Sequence, residues 1–193
     1  PEREARLAPV QDGAPSGGEA DSYVRLANPI SQERTVMRRN LLASVLEILE
    51  KNARLSNRLA LFEVGNVFWP VDGSDLPAEP TRLVIVLHGE RYPLYWDQPE
   101  PGDMDFFDLK GVLDALLAGL KIKGAIYEPG GDPIYHPGKC ARLRVGDTVL
   151  GTLGELHPQI QQRYDLGRAP VLATDLDLEA LVALAPERFE VEP

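Results

Sequence analysis

The stretch from His136 to Cys140 places an imidazole, a Gly-Lys pair and the one cysteine of the chain close together. An imidazole and a thiolate can bind zinc, but a zinc site takes about four ligands, and His88, His157 and the carboxylates are scattered. A phosphate loop fails because Pro133 stands where its first glycine belongs and Cys140 replaces its Ser or Thr. We therefore interpret the stretch as a turn that leads into a strand.

Other catalytic patterns have little support. No Gly-x-Ser-x-Gly elbow is present, and Cys140 lacks the surroundings of a nucleophile. Asp103, Asp105 and Asp108 could bind Mg²⁺ through their carboxylates. They directly precede or open an apolar-periodic segment, however, where carboxylates cap a helix and favour its dipole. We expect the capping role.

Arg38 and Arg39 form the best basic pair beside a predicted element. Guanidinium groups bind RNA phosphates or a partner's carboxylates, and they also pair within their own chain. With 20 basic and 30 acidic residues, the net charge of −10 excludes attraction of the whole surface to nucleic acid. Any contact to RNA would need a local basic patch.

Apolar periodicity predicts the elements that position these groups. Helices are expected over about 40–54, with Asn40 as the cap, and over 106–120, 158–164 and 178–185. Strands are expected over 23–26, 59–69, 82–88, 140–145, 148–153 and 171–175, with a Gly-Asp turn between the fourth and fifth. The segment 82–88 is so continuously apolar that it predicts a central strand covered on both faces. Together these elements indicate an α+β fold with a largely antiparallel sheet; a doubly wound parallel sheet is the alternative.

Composition also sets the expected boundaries of the chain. Residues 1–22 are rich in Pro and Gly and predict a linker or irregular arm, followed by one core domain over 23–185 and a tail over 186–193. A single cysteine fits a reducing compartment, and no membrane-length apolar run or signal peptide is visible, which predicts a cytoplasmic protein. Because the chain starts at Pro1 and its first methionine is Met37, we expect a piece of a longer polypeptide.

Six short motifs occur in order between Asn28 and Pro158, within a stretch from about Tyr23 to Leu184. They are NPIS (28–31), MRRNLL (37–42), LFEVGNVF (61–68), FFDLKG (106–111), HPGKCA (136–141) and GELHP (154–158). Each motif alone is weak, but together they resemble the β subunit family of bacterial phenylalanyl-tRNA synthetases. The resemblance implies a class II aminoacyl-tRNA synthetase-like core, an antiparallel sheet flanked by helices.

The same resemblance implies partners. It predicts an (αβ)₂ assembly in which the α subunit carries phenylalanine, ATP and Mg²⁺, while this chain holds no cofactor or metal and makes at most local contacts to tRNA(Phe). In class II enzymes the segment before the first long helix commonly packs against a partner core. That segment corresponds to 28–40, which selects Arg38, Arg39 and Asn40 as candidate interface residues.

The chain departs from the catalytic pattern of class II cores at two places. Trp69 stands where class II cores have an arginine after the strand that LFEVGNVF resembles. Ala180 stands where they have an arginine at the start of the last helix. Asp175 and Asp177 stand where the backbone should approach the nucleotide, and carboxylates repel a triphosphate. The resemblance therefore predicts a non-catalytic module that supports assembly. Two alternatives are an active class II ligase and a free-standing RNA- or protein-binding paralogue.

Overall fold

The computed structural model describes residues 2–8, 23–29, 35–93, 95–96, 100 and 102–186. The strands are β1 (Arg58–Asn66), β2 (Thr81–Gly89), β3 (Ala125–Pro129), β4 (Tyr135–Val145), β5 (Thr148–Leu156) and β6 (Val171–Asp177). The helices are α1 (Glu2–Ala5), α2 (Leu42–Asn52), α3 (Phe106–Gly119), α4 (Pro158–Gln161) and α5 (Leu178–Leu184). The predicted strand at 23–26 is reduced to one isolated bridge between Arg25 and Val36.

The strands form one six-stranded sheet in the order β1-β2-β6-β5-β4-β3, and every neighbouring pair is antiparallel. This confirms the α+β prediction and makes the doubly wound parallel alternative wrong. Strand β2 is covered on both faces, as its apolar run predicts, but it lies second from the edge of the sheet rather than at its centre.

The two faces of the sheet carry separate cores because side chains alternate along each strand. On β6, Val171 and Ala173 belong to the core beneath α2 and α4, whereas Leu172 and Leu176 belong to the core beneath α3 and α5. We call these faces the α2 face and the α3/α5 face. The α2 face positions the residues of the candidate site.

Helix α2 follows its predicted periodicity, with Leu42, Leu46 and Leu49 buried. The side chain of Asn40 accepts a hydrogen bond from Ala43 N at 3.0 Å. The predicted cap is thus present, although the helix as assigned begins at Leu42, an offset common at helix ends. Ile48, although apolar, is 47% exposed, because it lies about 100° around the helix from Leu49.

The acidic residues before α3 cap it. Asp105 accepts from Phe107 N at 2.8 Å, and Asp108 accepts in return from Asp105 N at 2.7 Å, so the two form a capping box. Arg91 joins both carboxylates, at 2.7 Å to Asp105 and 3.0 Å to Asp108. The backbone of Asp103 bridges to Glu90 instead. Capping is therefore confirmed for two of the three aspartates.

The β4–β5 hairpin turns at Gly146-Asp147 as predicted, with Gly146 at φ +57°. The HPGK stretch differs from the expected turn because it lies inside β4. The register shifts between Tyr135 and Cys140, where Pro137 cannot donate to the ladder. These residues form an irregular part of the strand.

The first residues of the expected irregular arm are ordered against the core. Residues 2–5 form α1, and Leu7 is 6% exposed. Arg6 binds Glu50 at 2.9 Å and stacks on the ring of Tyr164 at 3.7 Å. Residues 2–5 are therefore helical within the expected arm, because these contacts offset the entropy that is lost on ordering. Residues 9–22 and 187–193 lie outside the described residues, and the domain boundaries stay a prediction.

Candidate functional site

Arg38 lies across strand β1. Its guanidinium binds Glu63 at 2.5 Å and donates from Nε to the carbonyl oxygen of Asn66 at 2.9 Å. The guanidinium covers Gly65, where any side chain would collide with it. Of the three roles considered for this arginine, pairing within the chain is therefore observed.

Arg39 and Asn40 are held by their backbones. Glu4 of α1 accepts from Arg39 N at 2.7 Å and from Asn40 N at 3.2 Å. The guanidinium of Arg39 lies 5.6 Å from the ring centre of Tyr23, and burial, aided by Glu4, raises the pKa of that tyrosine to about 12. The three predicted interface residues thus meet at a junction of α1, β1 and α2. Their role in binding a partner stays a prediction.

Trp69, which stands at the first expected arginine position, is bound to the same junction. Its indole Nε1 donates to the carbonyl oxygen of Arg39 at 3.0 Å, and its backbone bridges to Ala78. An indole is a donor without charge, so it cannot neutralise a phosphate.

Asp175 and Asp177 point to the α2 face at the end of β6, and both meet Arg82 of β2. Arg82 Nε lies 2.8 Å from Asp175 Oδ1, and Nη1 lies 3.9 Å from Asp177 Oδ2. Asp177 also caps α5 by accepting from Ala180 N at 2.9 Å. Arg82 is thus paired with two carboxylates of its own chain.

Burial dominates the electrostatics of this cluster. It raises the pKa of Asp175 above the ordinary range even though Arg82 acts in the opposite direction. The hydroxyl of Tyr135, which is 1% exposed, also has a raised pKa, first through burial and then through the charge of Asp175. The tyrosine is therefore neutral at ordinary pH and offers no charge to a ligand.

Sequence reasoning missed Arg82. It was counted only as the first residue of an apolar strand, and its partners lie 93 and 95 positions away along the chain. The register of β2 with β6, which pairs Arg82 with Asp177, brings the three residues together. A lone arginine opening an apolar run was the available signal, but its partners depend on the order of the strands.

The imidazole and thiol near position 138 make local contacts. His136 Nδ1 accepts from Gly138 N at 3.1 Å, Lys139 binds Glu155 at 2.6 Å, and burial raises the pKa of Cys140. Within the described ranges, no group of three or more His, Cys, Asp or Glu side chains is arranged to hold a metal ion. The described helices also include none that is long and apolar enough to span a bilayer.

Residues 9–178 match the family model described as the phenylalanyl tRNA synthetase beta chain CLM domain. The chain belongs to this family. It is 40% identical over 174 residues to the phenylalanine–tRNA ligase beta subunit of Geobacter sulfurreducens, covering 89% of this chain and 22% of the relative. It is 44% identical over 142 residues to that of Symbiobacterium thermophilum, covering 73% of this chain and 16% of the relative. The CLM chain thus spans about a fifth of the length of these relatives.

Solved structures agree on the fold of the CLM chain. A crystal structure of pyrrolysyl-tRNA synthetase from Desulfitobacterium hafniense matches with a TM-score of 0.65 at 15% identity, covering 94% of this chain and 58% of that one. The structure of PylSc from the same organism matches with a TM-score of 0.60, also at 15% identity, covering 84% and 51%. At this identity the likeness shows the class II synthetase fold alone, which confirms the predicted fold class.

Proposed function

We propose that this CLM chain is a non-catalytic module of a phenylalanine–tRNA ligase β subunit, which supports assembly with a catalytic α subunit and thereby the charging of tRNA(Phe). The observation that carries the proposal is the pairing of Arg82 with Asp175 and Asp177 at the end of β6. A class II site needs positive groups for the phosphates, and here the nearby guanidinium is already neutralised.

The neighbouring residues support the same conclusion. Trp69 and Ala180 stand where the resemblance implies arginines, and Trp69 is bound to the backbone of Arg39. An ATP phosphate brought to this end of the sheet would meet the carboxylates of Asp175 and Asp177. The module thus keeps a synthetase fold without the groups that bind a nucleotide.

The chemistry then belongs to the partner. In this proposal the α subunit carries phenylalanine, ATP and Mg²⁺ within an (αβ)₂ assembly in the cytoplasm, and tRNA(Phe) makes only local contacts with the CLM chain. The junction of Arg38, Arg39 and Asn40 is the proposed surface for the α subunit, because hydrogen bonds to Glu4 and Glu63 fix its position and its two arginines are partly exposed.

Phenylalanine-dependent exchange of pyrophosphate into ATP tests the first part of the proposal. The β polypeptide carrying this module should give no exchange above a no-enzyme control, and addition of the α subunit should restore it. Exchange by the β polypeptide alone, lost on a substitution within this module, would overturn the proposal.

Co-purification tests the assembly. A tagged β polypeptide should recover the α subunit in a one-to-one ratio. Recovery of a lone monomer would favour the free-standing paralogue that the sequence left open.

A further inference from the structure

A groove with a volume of about 500 Å³ opens on the α3/α5 face of the sheet. Its walls come from β1, β2, α3 and α5, and every side chain that lines it is apolar. The side chains most open to solvent are Phe62 at 75% and Val182 at 61%, with Val64 at 49%. Exposed apolar surface of this kind marks a site of contact.

The groove continues into an open sheet edge. Strand β1 is the end strand of the sheet, and among the described residues no further strand pairs with its outer edge. It is 9 residues long and contains neither proline nor lysine, the residues that commonly protect edge strands. The only acidic side chain of β1, Glu63, is paired with Arg38 on the opposite face. The open edge of β1 and the groove together form one exposed surface that is suited to burial in an interface.

The residues that line the groove indicate which kind of partner it can bind. A binding site for a small ligand normally has a few polar groups that orient it, and a nucleic-acid site has cationic side chains that bind the phosphates. The groove wall has neither polar nor cationic side chains. Association with a second copy is opposed by a net charge of −10 on each chain. A wall without charged residues instead resembles the centre of a permanent protein interface.

The relatives of this chain are much longer than the chain itself. The matched stretch covers only 22% and 16% of two phenylalanine–tRNA ligase β subunits, so most of each polypeptide lies outside it. A contact within one polypeptide forms at a high effective concentration, and the apolar wall is then covered as soon as the chain folds. A separately made subunit would leave Phe62 and the β1 edge exposed until it arrived.

We propose that this groove is an interdomain docking surface, filled by an apolar surface from a part of the β subunit polypeptide outside these 193 residues. The inference uses membership of the family and does not depend on how the α subunit binds. Phe62 and Val182 are its central contacts, one from the sheet edge and one from α5.

Site-specific photo-cross-linking in the full-length β subunit, co-expressed with its α subunit, tests the proposal. The photoreactive residue p-benzoylphenylalanine is placed at Phe62 in one variant and at Val182 in another, so that the test survives if one variant does not fold. Both should form cross-links to peptides of the same polypeptide outside the module. The cross-linked product should have the mass of a single β subunit. The matched control places the same residue at Leu55, which is 84% exposed and does not line the groove, and should lose these cross-links.

A second change checks that the groove itself forms the contact. Val182→Asp, combined with the photoreactive residue at position 62, should abolish the cross-link, whereas Leu55→Asp should leave it intact. Cross-links to the α subunit, to a second β chain or to nothing would each overturn the inference. Cross-links to α would still leave the proposed assembly function standing, because that function requires α to bind somewhere on the module.

Discussion

The pKa values of two carboxyl groups on the α2 face, Glu50 and Asp175, are shifted in opposite directions. The guanidinium of Arg6 holds the pKa of Glu50 below its ordinary value of 4.5, whereas burial raises the pKa of Asp175 above its ordinary 3.8. A carboxyl group whose pKa is lower in the folded protein stabilises the fold at pH values above its pKa in the unfolded chain. This stabilisation is lost as the pH falls through its pKa in the folded protein. A carboxyl group whose pKa is higher in the folded protein destabilises the fold at pH values above that raised pKa. This destabilisation disappears as the pH falls towards its pKa in the unfolded chain.

We therefore predict that Glu50→Gln and Asp175→Asn change the pH dependence of stability with opposite signs. Urea denaturation is compared between about pH 7 and about pH 3, a range that includes the ordinary pKa values of 4.5 for Glu50 and 3.8 for Asp175. As the pH falls, the advantage of the wild type over Glu50→Gln should shrink, and the stability of the wild type relative to Asp175→Asn should rise. Parallel slopes for the two variants would contradict the assignment of either pKa shift.

Arg38 and Arg39 allow a test of the proposed α-binding junction. Truncating a buried, paired charge costs about 2–5 kcal/mol of binding, whereas a charge at the rim mainly changes the salt dependence. Arg38→Ala and Arg39→Ala in the β subunit should each weaken binding of the α subunit, measured by calorimetric titration. The exposed Arg168 supplies the control, since Arg168→Ala should bind as the wild type does.

The same two variants need a folding control because Arg38 also joins Glu63 and the carbonyl oxygen of Asn66. Thermal unfolding of each variant separates a loss of binding from a loss of structure. Wild-type affinity in both variants would move the interface elsewhere on the module.

At the scale of elements, α2 is fixed by its buried leucines. Leu42 is 2% and Leu46 0% exposed, so Leu42→Ala or Leu46→Ala should lower the free energy of unfolding by about 2–5 kcal/mol, the usual cost of deleting a buried leucine side chain. Ile48→Ala, on the same helix but 47% exposed, should cost clearly less, as should Ser44→Ala. Chemical denaturation of the four variants measures this, and equal midpoints would show that the helix packs by another face.

The elements themselves were largely predictable because each has a local signal. Periodic leucines indicate α2 and α3, and the Gly146-Asp147 pair indicates the β4–β5 hairpin. Helix α1 had no such signal, since four residues cannot form a stable helix alone. Its order depends on contacts made far along the chain, such as those of Arg6 with Glu50 and Tyr164.

At the scale of the whole molecule, the order of strands was the part that the sequence did not reveal. Hairpins follow from neighbouring segments, but β6 pairs with β2, which is remote in the chain. The Arg82 cluster and the groove both arise from that arrangement. Sequence reasoning could therefore name Asp175 and Asp177 but not their partner, and it could place Phe62 in a strand but not at an open edge.

The position of β6 has a consequence for synthesis on the ribosome. Strands β1 and β2 form one part of the sheet and β3 to β5 another, and β6 pairs with β2 on one side and with β5 on the other, which joins the two parts. Since β6 is translated after all the others, the two halves emerge with unpaired inner edges and must wait for it. A nascent chain stalled before Val171 would therefore leave the inner edges of β2 and β5 unpaired, and unpaired strand edges are prone to associate with other chains until β6 is made and joins the two parts of the sheet.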